Sequence, residues 1–341
     1  MPAIPVALEL RDRGHRCVFI GTRRGAEARL VPAAGFEIEW IESAGLQRRS
    51  LPQMLGALVK LPLAVMKVRA LIAREKPQAM LSLGGYVAGP AVLAALSKGL
   101  PVVAVEPNAV PGLVTRRTAS RVARACVSFE ETKRWFPPGR AVVTGVPVRQ
   151  EFFEIREKSE GEFTVLVTGG SQGSRTLNRA ARESWPLWKQ AGMNPRMILQ
   201  CGTAEVDALR QDFARSGLPG EVTAFLNDVP GAFAQADVIV SRAGASTVAE
   251  LCAAGKPAIL VPFPFAADDH QAKNAEAMVR AGAARMTADA EWTGEAMVRQ
   301  ITQLNQMSGE LHTMGSAARR MAHPAAAQLT AEILIEVAKN H

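Results

Sequence analysis

Short, continuously apolar runs alternate along the chain with stretches whose apolar positions recur at helical spacing. RCVFIG (16–21) gives way to a helical pattern from Arg24, and AMLSLGG (79–85) to another; PVVAVEP (101–107), ACVSF (125–129) and AVVTG (141–145) follow. After Pro147 the theme restarts with FTVLVTGGSQG (163–173), RMILQCG (196–202), VTAFL (222–226), ADVIVSRAG (236–244) and PAILVPF (257–263). Apolar runs without an inside/outside alternation are what parallel strands covered by helices on both faces require, so the pattern predicts βαβ units. Between the two series, GVPVRQEFFEIREKSEGE (145–162) turns from apolar to charged and marks a joint.

The predicted architecture is therefore α/β, with two doubly wound parallel-sheet domains of Rossmann type facing a cleft lined by the carboxyl ends of their strands. The boundaries fall at 1–149 and 150–324, with a C-terminal helix at about 325–341 packing back on the first domain. A length of 341 residues fits two cores of roughly 150 residues each. One feature departs from the scheme. Residues 2–13, PAIPVALELRDR, read as an amphipathic helix with Pro at its start, and no strand precedes them. A βαβ domain opens with a strand and a phosphate-facing turn.

Composition narrows the partners. A net charge of +8 and a pI near 9.7 call for an anionic partner. A single Tyr and 5% aromatic residues give no stacking platform for single-stranded nucleic acid, which is excluded as a partner. Cys17, Cys126, Cys201 and Cys252 are far apart, with no C-x-x-C pair and no His at metal-ligand spacing, so they read as buried thiols of a reducing cytoplasm. No secretory signal is visible at the N-terminus.

Chemistry concentrates in the turns that follow strands. In GGSQGSRTLN (169–178), Gly169, Gly170 and Gly173 let backbone approach an anion, with Ser171 adding a hydroxyl; a purely structural βα turn would have the same glycines. SRAGASTVAE (241–250) opens a helix whose first amides, with Ser246 and Thr247, suit a diphosphate, and Glu250 can accept from sugar hydroxyls. The Thr247-x-x-Glu250 spacing equally fits a capping box that needs no ligand. In VPFPFAADDHQAKNAE (261–276), Gln271 and Asn274 share a helix face and can hold sugar hydroxyls, whereas Asp268, Asp269 and His270 point apart and form no metal site. LGGYVAGP (83–90) and EPNAVPG (106–112) supply loops of the first domain, with Asn108 the side chain best suited to reach a ligand or to make a turn.

Residues 46–76, LQRRSLPQMLGALVKLPLAVMKVRALIAREK, combine large apolar side chains with basic ones and a single acid, Glu75. Lys60, Lys67 and Arg69 with Pro52 and Pro62 exclude a membrane-spanning helix; a segment lying on an anionic membrane surface fits, as does a core-facing helix with snorkelling cations.

Taken in order, GGYVAGP, EPN, GVPVR, GGSQGS, RAGASTVAE and DDHQAKNA resemble the MurG family of glycosyltransferases along nearly the whole chain. The resemblance implies the two-domain GT-B fold and an inverting hexosyltransferase. That enzyme moves N-acetylglucosamine from UDP-N-acetylglucosamine to the 4-hydroxyl of the muramoyl sugar of lipid I, giving lipid II for peptidoglycan. It implies donor contacts from Asn108, Arg149, Ser171, Leu226, the run Ala245, Ser246, Thr247, Val248, Ala249 and Glu250, and Gln271. It further implies a peripheral location on the cytoplasmic face of the cell membrane; no D-x-D motif stands at a strand end, so no metal or other cofactor is expected. Family members carry a G-G-T-G-G-H loop directly before P-A, where this sequence has Met1-Pro2-Ala3. The expectation is a start set too late, and no catalytic base is assigned, because the loop His is absent and His15 follows the first helix. A GT-B enzyme for another lipid acceptor, or an inactive UDP-sugar-binding membrane protein, are the alternatives.

Overall fold

The computed structural model describes residues 1–23, 25, 27–41, 51–158, 161–170, 172–266, 269–307 and 309–340. The chain divides into two compact units, Met1–Arg149 with His323–His341, and Gln150–Ala322.

The first unit runs α1 (Ala3–Asp12), β1 (Val18–Gly21), α2 (Glu27–Ala33), β2 (Glu37–Trp40), α3 (Leu51–Glu75), β3 (Met80–Ser82), α4 (Gly85–Ser97), β4 (Val102–Glu106), α5 (Leu113–Thr118), β5 (Arg124–Val127) and β6 (Ala141–Val143). All its strand pairs are parallel, but they form two sheets, β1-β2 and β3-β4-β5-β6, rather than one. Helix α4 packs on strands of both. The last helix of the chain, α14 (Ala326–Lys339), returns to this unit. Its Ala331, Leu334 and Val337 share a core with Val6 and Leu10 of α1 and with Val103, Val105 and Cys126. Every residue of β4 is buried, the apolar residues 102–105 and the closing Glu106 alike.

Helix α3 continues through Pro62 instead of ending there. Over its described side chains, Ala64 and Val68 face inward, while Leu63 and Met66 are 62% and 66% exposed beside exposed Lys67. Residues 46–50 of the basic segment lie outside the described residues. Among the described residues, no helix is long and apolar enough to cross a membrane.

The second unit starts with α6 (Gln150–Phe153) and continues with β7 (Thr164–Thr168), α7 (Arg175–Ser184), β8 (Arg196–Gln200), α8 (Val206–Ser216), β9 (Gly220–Thr223), α9 (Val229–Gln235), β10 (Val238–Ser241), α10 (Ala245–Ala254), β11 (Ala258–Leu260), α11 (His270–Arg280), β12 (Ala284–Met286), α12 (Gly294–Gln306) and α13 (Glu310–Arg320). The six strands form one parallel sheet in the order β12-β11-β10-β7-β8-β9. Counted from the unit's own first strand this is 3-2-1-4-5-6 read from the other edge, the doubly wound arrangement. Helix α7 packs with α8 and α12, whereas α10 packs with α9 and α11. The order therefore reverses between β7 and β10, and the chain leaves those two neighbours for different layers of helices.

Two cations, the buried Lys256 and the half-buried Arg319, close helix ends in this unit. Lys256 donates to the carbonyls of Ala234 (3.2 Å) and Ala236 (2.7 Å) behind α9, and burial pulls its pKa down to about 8. Arg319 of α13 donates to the carbonyls of Ala253 and Ala254 at the C-terminus of α10, and to those of Phe153 (3.2 Å) and Ile155 (2.6 Å). A cation there satisfies orphan carbonyls and complements the helix dipole. Arg319→Met should lower stability by about 2–4 kcal/mol, since buried acceptors lose their donors. Denaturant unfolding of the full chain measures this, and Arg319→Lys should fall between the two.

Candidate functional site

The reversal point sets where a ligand can sit: outside the carboxyl ends of β7 and β10, between loops that diverge. After β7 the chain turns through Gly169, Gly170 and Gly173, with Gly170 at φ +79° and Gly173 at φ +73°. A Cβ on Gly173 would lie 2.0 Å from the Cys201 carbonyl oxygen, and one on Gly202 would lie 2.5 Å from that of Gln172. The loops after β7 and β8 thus touch backbone to backbone, which only glycine allows. Asn178 locks them, its Nδ2 donating to the Cys201 carbonyl (2.9 Å) and to Glu205 (2.7 Å). At the loop's root, Thr168 Oγ1 donates to Gln200 Oε1 (2.8 Å) and accepts from Gly170 N–H (3.3 Å). Ser174 caps α7 by accepting from Leu177 N–H (3.4 Å), so one of the helix's first amides is already used by the protein. Ser171 lies outside the described residues.

Helix α10 differs. Its N-cap is Gly244, which has no side chain to cap with, and its first backbone bond runs from Val248 N–H to the Gly244 carbonyl (2.9 Å). This corrects the capping-box reading of Thr247 and Glu250: Thr247 sits at the third helical position and Glu250 at the sixth, too far along for either to cap. The amides of Ala245, Ser246 and Thr247 precede the first closed turn, and an uncapped helix start of this kind suits an anion. Ser246 is exposed, Ala245, Thr247, Ala249 and Glu250 are half-buried, and Val248 packs inward. Asn274 is buried, donating Nδ2 to the Ala243 carbonyl (3.1 Å); it supports the turn into α10 from below and does not present its amide to a ligand, as the sequence had suggested.

Gln271 stands at the start of α11, its Oε1 accepting from Phe263 N–H (3.0 Å), which places it beside the loop after β11. Leu226 is half-buried in the loop that follows β9, at the sheet's far edge. In the second unit the structure therefore brings the start of α10, the glycine turn after β7 and the β11 loop to one end of the sheet, with Leu226 at its margin. The thiols nearby are inert: burial raises Cys201 and pushes Cys252, on α10, up to about 12.

Asn108 and Arg149 belong to the first unit. Asn108 follows β4, where the buried Glu106 accepts from its N–H (3.2 Å) and its Nδ2 (3.1 Å), and from Gly112 N–H (3.1 Å). Thr132 Oγ1 adds bonds to the carbonyls of Asn108 (3.3 Å) and Ala109 (3.1 Å). Glu106, which the sequence does not single out, is thus the residue that shapes this turn. Arg149 is half-buried after the turn at Gly145. Arg242, directly after β10, likewise pairs with a carboxylate far off in the chain, Asp289.

Comparison with known proteins agrees with this geometry. The glycosyltransferase family 28 N-terminal domain matches residues 1–127 and the family 28 C-terminal domain residues 164–330. The UDP-N-acetylglucosamine--N-acetylmuramyl-(pentapeptide) pyrophosphoryl-undecaprenol N-acetylglucosamine transferase of Solibacter usitatus (strain Ellin6076) is 54% identical over 340 residues, 99% of this chain and 93% of that protein. The chain belongs to the MurG family of glycosyltransferases. The identically named protein of Halorhodospira halophila (strain DSM 244 / SL1) is 40% identical over 99% of this chain and 94% of its own. The crystal structure of Acinetobacter baumannii MurG is 31% identical, covers 98% of this chain and 95% of its own, and superposes with a TM-score of 0.76. The two α/β units are accordingly those of a GT-B enzyme, a UDP-N-acetylglucosamine-dependent glycosyltransferase.

The two loop glycines should respond differently to substitution. Gly170 has open space around its Cβ position, so Gly170→Ala should cost only the left-handed strain, about 1–2 kcal/mol. Gly173→Ala adds a clash with backbone and should destabilise the unit by more than twice that, as measured by denaturant unfolding of both variants.

Proposed function

We propose that this chain transfers N-acetylglucosamine from UDP-N-acetylglucosamine to the 4-hydroxyl of the muramoyl sugar of lipid I, with inversion, producing lipid II. The observation that carries the reading is the 54% identity over 99% of the chain to a transferase of that name. The site geometry supports it independently. In the transfer, the bond from the anomeric carbon to the diphosphate oxygen breaks as the acceptor oxygen attacks, and negative charge develops on the departing UDP. The amides at the start of α10 and the glycine turn after β7 are fixed in advance where that charge grows, and preorganised donors of this kind lower a barrier without rearranging. Ser171, Ser246 and Thr247 add hydroxyl donors, Glu250 accepts from ribose hydroxyls, Leu226 lies against the uracil and Gln271 holds the sugar. Asn108 and Arg149 are the first unit's contributions to donor binding. Proton removal from the acceptor falls to a general base that none of these residues supplies.

The acceptor is a membrane lipid, and α3 suits an approach to it. Leu63 and Met66, one turn apart and exposed, stand beside Lys67, so an apolar stripe can enter the headgroup layer while cations meet anionic lipid. The exposed stripe of α3 supports a peripheral location, read here as the cytoplasmic face where the nucleotide sugar is available.

Two measurements test these assignments. Glu250→Ala should weaken UDP-N-acetylglucosamine binding in calorimetry by roughly tenfold, the loss of a hydrogen bond to a charged group. Glu250 lies at the sixth helical position and does not cap α10, so the loss of a cap plays no part in this; unchanged affinity refutes the ribose role. Flotation with vesicles should show capture by anionic but not neutral lipid, reversed by high salt and abolished by Leu63→Glu with Met66→Glu. Equal capture by neutral vesicles refutes the electrostatic part.

A further inference from the structure

Arg242 follows β10 directly and precedes α10 by two residues. Its Nη1 donates to the carbonyls of Val261 (3.0 Å) and Pro262 (3.2 Å), and to Asp289 Oδ1 (2.5 Å). The guanidinium lies over the Phe263 ring, 5.5 Å from its centroid. Asp289, in the turn after β12, accepts through Oδ2 from Thr176 Oγ1 (3.1 Å) at the start of α7. Phe263, in turn, is bonded through its N–H to Gln271. The ion pair is largely withdrawn from solvent, with side chains 12% and 21% exposed.

One cation thus joins the segments that follow β12, β11, β10 and β7, four neighbours in the sheet. Those segments diverge after the strands end, and the backbone ladder no longer sets their spacing. The planar fork of an arginine, stacked on an aromatic ring and paired with a carboxylate, fixes direction as well as distance. A displacement of Arg242 would pass through two residues to the amides of Ala245 and Ser246, and through Phe263 to Gln271.

The geometry points to Arg242, with Asp289, as the positioning pair that holds the donor-binding loops in register for transfer. It acts through those loops and not by touching the sugar nucleotide. The inference rests on the reading that the loops after β7, β10 and β11 bind UDP-N-acetylglucosamine. It adds what keeps them in place. The same pair also explains why the second unit can leave α10 uncapped: the helix start is steered from behind, and its amides stay available.

The test uses the full chain with UDP-N-acetylglucosamine and a soluble lipid I analogue. Hydrogen exchange on the wild type comes first, and added UDP-N-acetylglucosamine should protect 169–175 and 242–248; protection confined to other segments overturns the loop reading itself. With that protection in hand, Arg242→Met and Asp289→Asn should each raise KM for UDP-N-acetylglucosamine ten- to a hundredfold, the scale of a displacement near 1 Å. The double variant should be no worse than the more impaired single one, because both remove the same constraint. Arg242→Lys keeps the charge but not the fork and should recover only part of the loss. If Arg242→Met does not fold, Thr176→Val removes one outer bond and should raise KM two- to fivefold with thermal stability nearly unchanged. Variants that lower Tm but keep the wild-type KM would reduce the pair to a structural one. A wild-type KM in Asp289→Asn beside an impaired Arg242→Met, or additive losses in the double variant, would overturn positioning through the pair.

Discussion

The second unit depends on one constraint: β7 and β10 lie side by side, yet the chain leaves them for different layers of helices. In a parallel sheet every strand delivers its following loop to the same end. Where the winding reverses, two of those loops part, and the space between them is lined by amides that no strand pairs with. The sequence answers at those two positions with different devices. After β7, glycines at positive φ bring backbone onto backbone with the next loop, and Ser174 caps the helix. After β10, Gly244 leaves the helix start without a side-chain cap. A helix start without a side-chain cap leaves amide donors suited to an anion.

A glycine in place of a Ser or Asp cap costs α10 about a few tenths of a kcal/mol. The other end of α10 offsets it. Arg319 donates to the last carbonyls of the helix, so the positive charge that the dipole favours at its C-terminus comes from α13. Asn274 fixes the turn before the helix, and Arg242 ties that turn to its neighbours. Stability and ligand capacity are thereby separated along one element: the C-terminal half of α10 is buried and anchored, and its N-terminal turn is partly open.

Much of this was legible in the sequence, for a physical reason. Strands covered on both faces must be apolar throughout, so β4, β7 and β10 stood out as unbroken runs, and the glycines after them marked turns into helices. Strands that escaped notice lack that signature. β2 (EIEW) alternates with glutamates and is nowhere fully buried, and β12 is three residues long with only Ala284 inside. The capping box failed because Thr-x-x-Glu is satisfied by chance three residues past the true cap, and glycine as a cap leaves no side-chain signature. Pro62 lies within α3, which runs on through it.

The residues that organise the loops were the hardest to see, and the reason is general. Glu106 and Arg242 are charged residues at the ends of apolar strands, where a sequence offers nothing to tell a solvated loop residue from a buried one. Their partners lie far off in the chain: Asp289 is 47 positions from Arg242, and Thr176 is 113 from Asp289. Periodicity reports on neighbours within an element, and motif spacing on neighbours within a turn; neither reaches across four strands. A buried charge nevertheless demands a partner, because an unpaired one would be driven out or neutralised. The presence of arginine immediately after a fully buried strand therefore implies a distant carboxylate. In this protein that carboxylate is Asp289, and the pair it forms ties together segments that follow four neighbouring strands.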